Sequence, residues 1–173
     1  MHGVLAMMVA LMHLPVDTVP VFPVVEGSNL EGRSMTLPAD FGGDLNVVLV
    51  AFQRDQQADV DTWTPALKTM ASERPGLRVY ELPTLGRRYR LIRGFIDGGM
   101  RSGIPDSTVR AATITLYIDK DSFKRPLGIE SEDSIHVFLV ERGGVIRWRG
   151  QGAYTPELGR QLSAAVGGQT AHP

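Results

Sequence analysis

One near-continuous apolar stretch, LNVVLVAF at 45–52, limits the folds open to this chain more than any other feature. A strand with one wet face alternates apolar and polar side chains, whereas a run apolar at nearly every position is buried on both faces. The run is too short for a globular helix, and its valines favour a strand. A strand covered on both faces needs a layer above it and a layer below it. At 173 residues the chain is long enough for about one such domain, at roughly 150 residues each. It can bury that core without disulfides or a structural metal.

The flanking sequence supplies the layers. A helix is predicted over 56–74, with Val60, Trp63, Leu67 and Met70 on one face. Pro65 lies inside it as a potential kink, and Pro75 and Gly76 stop it. A second strand is expected over 77–82. A second helix is expected over 87–100, with Tyr89, Ile92 and Ile96 on one stripe and Leu91 and Phe95 beside it. Gly98, Gly99 and the Gly103-Ile104-Pro105 step loosen or end that helix. The segment TITLYI at 113–118 reads as a strand, and 121–127 as a short helix. The runs IHVFLV (135–140) and VIRWR (145–149) flank Glu141-Arg142-Gly143-Gly144, a hairpin with a glycine turn. Trp148 alternates with Arg147 and Arg149 and therefore faces the core. Upstream, NLEGRSMTL at 29–37 suits another hairpin, turning at Glu31-Gly32. Thr155, Pro156 and Glu157 open a last helix with an N-cap, a proline at its first position and an acid in its first turn. Two βα units between an N-terminal hairpin and a C-terminal hairpin imply a mixed sheet with helices on both faces.

The ends read differently. Residues 1–14 are apolar apart from His2 and His13, but the run 4–12 is shorter than the roughly 20 residues of a membrane helix. It suits the h-region of an export signal, although no Lys or Arg precedes it and no clean A-x-A site follows. An export signal and an apolar leader without that role both stay open. The first places the protein in a bacterial envelope or periplasm, the second in the cytoplasm. Pro15, Pro20 and Pro23 then space an extended linker. The expected organisation is a leader and linker over 1–23, one domain over 24–166 and a loose tail over 167–173.

Composition removes several function classes. The charge count is 18 Lys+Arg against 19 Asp+Glu, a net of −1, which argues against a basic nucleic-acid binder. Cysteine is absent, so a disulfide scaffold, a thiolate nucleophile, a Cys-x-x-Cys redox pair and a cysteine zinc site are all excluded.

Particular residues carry a family resemblance. The strand at 47–52 followed by a helix resembles the first strand of thioredoxin-like and peroxiredoxin-like proteins, and FLVERGGVI at 138–146 resembles their late hairpin. The segment YRLIRGFIDGGMR at 89–101 is similar to a longer pattern, in the mitochondrial assembly-factor family that chaperones ATP synthase subunit a. So are Gly103-Ile104-Pro105, Leu127-Gly128-Ile129 and IRWRGQG at 146–152. The resemblance implies a thioredoxin-like three-layer α/β/α fold with a mixed central sheet, an N-terminal hairpin and a central helical insertion. It also implies a binding or chaperone role, a protein partner that includes a membrane-associated client, and no cofactor. The missing Arg/Ser-rich leader favours a bacterial relative over the mitochondrial factor. Redox members carry a Cys pair at the helix N-terminus, where the dipole stabilises thiolate. Counting from Phe52 puts Gln56 and Asp59 there. They also carry a cis-proline before the late strand. Ile135 stands in that place, where a cis bond would cost roughly 2.5–4 kcal/mol.

Two groups are candidate binding residues. The degenerate turn offers Gln53, Arg54, Gln56 and Asp59, with Arg54 and Gln56 expected to be exposed beside free backbone N–H groups. Simple capping is the competing reading, with Asp55 as N-cap and Asp59 in the first turn. The second helix offers Arg87, Arg88, Arg90, Arg93 and Arg101 against only Asp97, a charge excess suited to an acidic partner, a phosphate or an anionic lipid surface. A solvated helix face is the favoured reading of it. His136 reads as structural, and Glu130, Glu132 and Asp133 as a solvated turn with no calcium-loop spacing. Gly150-Gln151-Gly152 lacks the strand-to-helix context of a dinucleotide loop. No residue is assigned as catalytic or metal-binding. The favoured function is non-catalytic binding or assembly. The alternative is a peroxiredoxin-like-fold enzyme or small-anion binder with non-thiol chemistry.

Overall fold

In the computed structural model, residues 19–168 are described. The leader 1–14 and the tail from 169 onward lie outside them. Seven strands, β1 (Val25–Asn29), β2 (Ser34–Leu37), β3 (Leu45–Ala51), β4 (Leu77–Gly86), β5 (Ile114–Ile118), β6 (His136–Glu141) and β7 (Ile146–Gln151), make one sheet in the order β2-β1-β5-β4-β3-β6-β7. β3 pairs in parallel with β4 and antiparallel with β6. β4 and β5 are also parallel, while β7 and the β1–β2 hairpin close the two sides antiparallel. The helices are α1 (Gln57–Glu73), α2 (Arg93–Gly103), α3 (Ser107–Ala112), α4 (Lys120–Leu127) and α5 (Pro156–Gly167).

Every residue of β3 is buried, as its composition predicts. Its side chains divide by the period of two. Val48 and Val50 join Phe22, Phe41, Leu82, Leu116, Phe123, Leu127 and Phe138 on one face. Leu45, Val47, Leu49 and Ala51 join Val60, Trp63 and Leu67 of α1 and Leu162 and Val166 of α5 on the other. The one polar member, Asn46, is fully buried and fully used. Its Oδ1 accepts from the Gly43 N–H at 3.0 Å, and its Nδ2 donates to the carbonyls of Gly43 and Val140 at 3.1 and 3.3 Å. A Cβ at Gly43 would lie 2.4 Å from the Leu45 carbonyl oxygen, so only glycine allows this approach.

Local signals close the helices where the sequence places them. Pro65 sits within an unbroken α1. Thr155 Oγ1 accepts from the Leu158 N–H, and Pro156 starts α5. α4 is capped by Asp119 and ends at Gly128 with φ +62°. Trp148 packs against the second core, 6.3 Å edge-on from Trp63, while Arg147 and Arg149 are exposed.

Several expectations need correction. Packing begins before Val24. The Phe22 N–H donates to Gly144 O and the Ile146 N–H to Pro20 O, and the Phe22 ring stands edge-on to Phe41, Phe123 and Phe138. Residues 20–22 pair with the β6–β7 turn. β4 runs to Gly86 because its last residues pair with Leu116, Tyr117 and Ile118. The second helix is split into a 3₁₀ turn (Arg87–Ile92), α2 and an additional helix, α3. Its apolar stripe joins neither core: Tyr89 and Ile96 are half-buried and Ile92 is 52% exposed, and beside the stripe Leu91 is 94% exposed and Phe95 85%.

Among the described residues, Thr115 carries the buried polar side-chain atom with no hydrogen-bond partner, Oγ1. An orphaned buried hydroxyl costs desolvation without return. Thr115→Val keeps the shape, so we expect a gain of about 1 kcal/mol in chemical unfolding. An unchanged or lowered midpoint would show that the hydroxyl is satisfied in solution.

Candidate functional site

β3, β4 and β5 are parallel, so the segments that follow them emerge at one end of the sheet. These are the turn after Ala51, the 3₁₀ turn starting at Arg87 and the Asp119 cap of α4. Ligand sites of open α/β sheets favour this carboxyl end. Both predicted groups of site residues are therefore carried on segments that leave the sheet on this side.

At the turn, Gln56 points inward and is only 5% exposed, contrary to its expected exposure. Its Oε1 accepts from the N–H groups of Phe52 (2.8 Å) and Gln53 (3.3 Å). Its Nε2 donates to the Glu132 carbonyl at 2.6 Å, and Gln53 Nε2 donates to the same oxygen at 3.1 Å. Two side-chain amides thus tie the end of β3 to the loop before β6. Asp55 does not serve as the helix cap. It lies within a 3₁₀ turn (Arg54–Gln56) preceding α1, whose entry Gln56 organises. Arg54 is exposed, and Asp59 sits half-buried in the first turn of α1, where an acid complements the dipole. Because α1 begins at Gln57, the helix N-terminus falls one residue later than the count from Phe52, with Val60 buried one turn on.

The opposing loop is polar and braced. Glu132 pairs with Lys120 and, at 2.8 Å, with Lys124. Burial works against its charge, but hydrogen bonds from the two lysines win and hold the carboxyl below its ordinary range. The acidic cluster read as a solvated turn is therefore partly a clamp on α4. Lys120 and Lys124, four apart on one helix face, were the available signal. Lys120 Nζ also lies 5.8 Å from the Phe52 ring centre. His136 is buried, its Nε2 lies 3.1 Å from the Ser131 carbonyl, and burial lowers its pKa against that bond. Ile135 is fully buried, and the cis bond among the described residues is Leu37–Pro38, elsewhere in the fold.

Beside the turn, Gln57 Nε2 donates to Asp61 Oδ1 at 3.1 Å. The half-buried Glu81 of β4 joins this group. Burial raises its pKa, a hydrogen bond with Gln57 opposes the rise, and Asp61 adds to it. Arg87, Arg88 and Arg90 occupy the 3₁₀ turn, while Arg93 and Arg101 occupy α2. Arg101 Nε donates to the Leu30 carbonyl at 2.6 Å, a structural role.

Surface depressions of about 440 and 400 Å³ flank α4, lined by residues such as Lys124, Arg125 and Glu130, and Ser131, His136 and Arg149. Neither is lined by residues 53–57. Among the described residues, no group of three or more His, Asp or Glu could hold a metal ion.

No family model matches the sequence, and no curated protein matches it. Solved structures do resemble it. A thiol:disulfide interchange protein from a Bacteroides species superposes with a TM-score of 0.57 at 19% identity, covering 91% of this chain and 95% of that one. The thioredoxin domain of a thiol-disulfide oxidoreductase from Bacteroides vulgatus gives 0.56 at 19%, covering 86% and 97%. BsSco, a member of the Sco family of cytochrome c oxidase assembly proteins in which a disulfide switch was identified, gives 0.57 at 13%, covering 88% and 95%. The fold is thioredoxin-like. The thiol chemistry named for these neighbours is closed to a chain with no cysteine.

Two measurements check the site. Gln56→Ala removes one of the two amides on the Glu132 carbonyl and takes the acceptor from the Phe52 and Gln53 N–H groups, so unfolding should show a loss of about 1–3 kcal/mol. Gln56→Glu keeps the shape but not the donor and should also destabilise; wild-type stability in both would dismiss the bridge. For Glu81, a raised pKa means that stability is full below the ordinary value of 4.5 and declines as pH rises through the folded value. Glu81→Gln should therefore raise the melting temperature at pH 7, with the gain fading as pH falls toward 4.5. A pH-independent difference would contradict the assignment.

Proposed function

We propose that this protein is a non-catalytic binding or assembly factor that holds a protein partner at the carboxyl end of its sheet. The observation that supports this most is the amide bridge. Where thioredoxin-like relatives are expected to carry a thiol, the chain holds the two facing segments together with Gln53 and Gln56 on the Glu132 carbonyl. A site converted to internal hydrogen bonds retains its shape and its exposed rim, with Arg54 outward and the Lys120–Glu132–Lys124 cluster beside it. The assembly role named for BsSco and the resemblance of 89–101 to ATP synthase assembly factors favour a membrane-complex subunit as the client. A small-anion or non-thiol enzyme has less support, since neither depression is lined by the turn.

A photo-crosslinking residue at position 54 in the native cell tests this reading. It should trap one recurrent protein, and with a crosslinker kept at an adjacent turn position, Arg54→Glu should cut the yield by about tenfold, equivalent to some 1.4 kcal/mol. Crosslinks scattered over many proteins, or indifferent to Arg54→Glu, would count against a specific partner here.

A further inference from the structure

The segment from Arg87 to the first turns of α2 contributes no side chain to either core. Leu91 is 94% exposed, Phe95 85% and Ile92 52%. Arg87, Arg88, Arg90 and Arg93 are interleaved with them in RRYRLIRGF. Seven ion pairs occur among the described residues, and none involves these four arginines. Arg88 lies over the Tyr89 ring at 4.9 Å. The two acids whose electrostatics touch these arginines each have another partner. Asp97 accepts from Tyr117 Oη at 2.8 Å, and Asp119 caps α4, its pKa lowered first by the Ser122 N–H and less by Arg87. The Asp97–Tyr117 and Arg101–Leu30 bonds hold the segment to the sheet.

At 94% and 85% exposure Leu91 and Phe95 project clear of their neighbours as small apolar knobs. The depressions of about 440 and 400 Å³ flank α4, and residues 87–95 line neither of them. A folded protein partner would need a complementary concavity, whereas a fluid bilayer moulds around a small apolar knob. Arginine suits the surrounding ring. Its stem lies along apolar surface while its guanidinium bonds phosphate oxygens.

We propose that residues 87–95 dock this protein on an anionic lipid bilayer, with Leu91, Ile92 and Phe95 entering the headgroup–acyl boundary and Arg87, Arg88, Arg90 and Arg93 engaging lipid phosphates. Three apolar side chains anchor weakly alone, so docking requires both the apolar and the electrostatic contribution. It is therefore reversible and sensitive to salt.

Co-sedimentation of the full chain tests this, with vesicles of phosphatidylcholine containing phosphatidylglycerol and with phosphatidylcholine alone. Binding should be about tenfold tighter to the anionic vesicles and should weaken as salt is raised. L91D/F95D should abolish the difference and R90E/R93E should reduce it, with unchanged thermal melts because these side chains are exposed. The apolar run 1–14 is common to every variant, so only differences between variants are read. Phe95→Cys introduces the sole thiol of the chain, and an environment-sensitive dye there should shift to the blue on anionic vesicles. Equal binding to both vesicles, or binding untouched by L91D/F95D, overturns the proposal. So does a photo-crosslinker at position 95 that captures an acidic protein and no lipid in the native cell, which would assign the face to a protein partner. Neither result bears on the turn at Arg54.

Discussion

Burial of β3 on both faces is the constraint from which the rest follows. A seven-residue strand without a wet side forces helices above and below it, and these come from α1 and α5 on one side and α4 with the Phe22 segment on the other. It also forces each backbone group of the strand into a ladder, which β4 and β6 supply. The single polar residue in the run, Asn46, is admitted because Gly43 and Val140 satisfy its whole amide. The carboxyl end of this strand is therefore held by ladders on both sides, and the candidate site is built on it.

The molecule is unevenly anchored. The strands on either side of β3 are locked by core residues, whereas α2 contributes no buried side chain and is tethered by polar contacts at Asp97 and Arg101. Segments with few buried apolar contacts open locally at lower free energy than the core. Burial raises the Tyr117 pKa, with the bond to Asp97 adding to it, so that hydroxyl stays protonated and keeps donating. The protein thus combines a stiff sheet with one loosely held, arginine-bearing flank.

What the sequence made legible follows from the range of the forces involved. Val60, Trp63 and Leu67 repeat at helical spacing and are buried, and the Thr155 cap is local chemistry visible within four residues. Phe22 was hidden by its prolines, which mark extended backbone but not whether that backbone packs. Leu91 and Phe95 show the opposite limit: periodicity reports an apolar face, not that the same chain covers it. α3 is six residues long, too short for a periodic pattern. The role of Gln56 depends on a carbonyl 76 residues away, and no spacing rule reaches that far. At the site, the residue types of the turn could be read, but the inward direction of Gln56 could not.

The clasp made by Gln53 and Gln56 has a consequence for where such a protein can work. A carboxamide neither titrates in the biological pH range nor exchanges electrons. A thiol pair in the same place would report the oxidation state of its compartment and change its bonding with it. The amide clasp itself makes the same bonds in reducing and in oxidising surroundings, so it reports nothing of the redox state of its compartment.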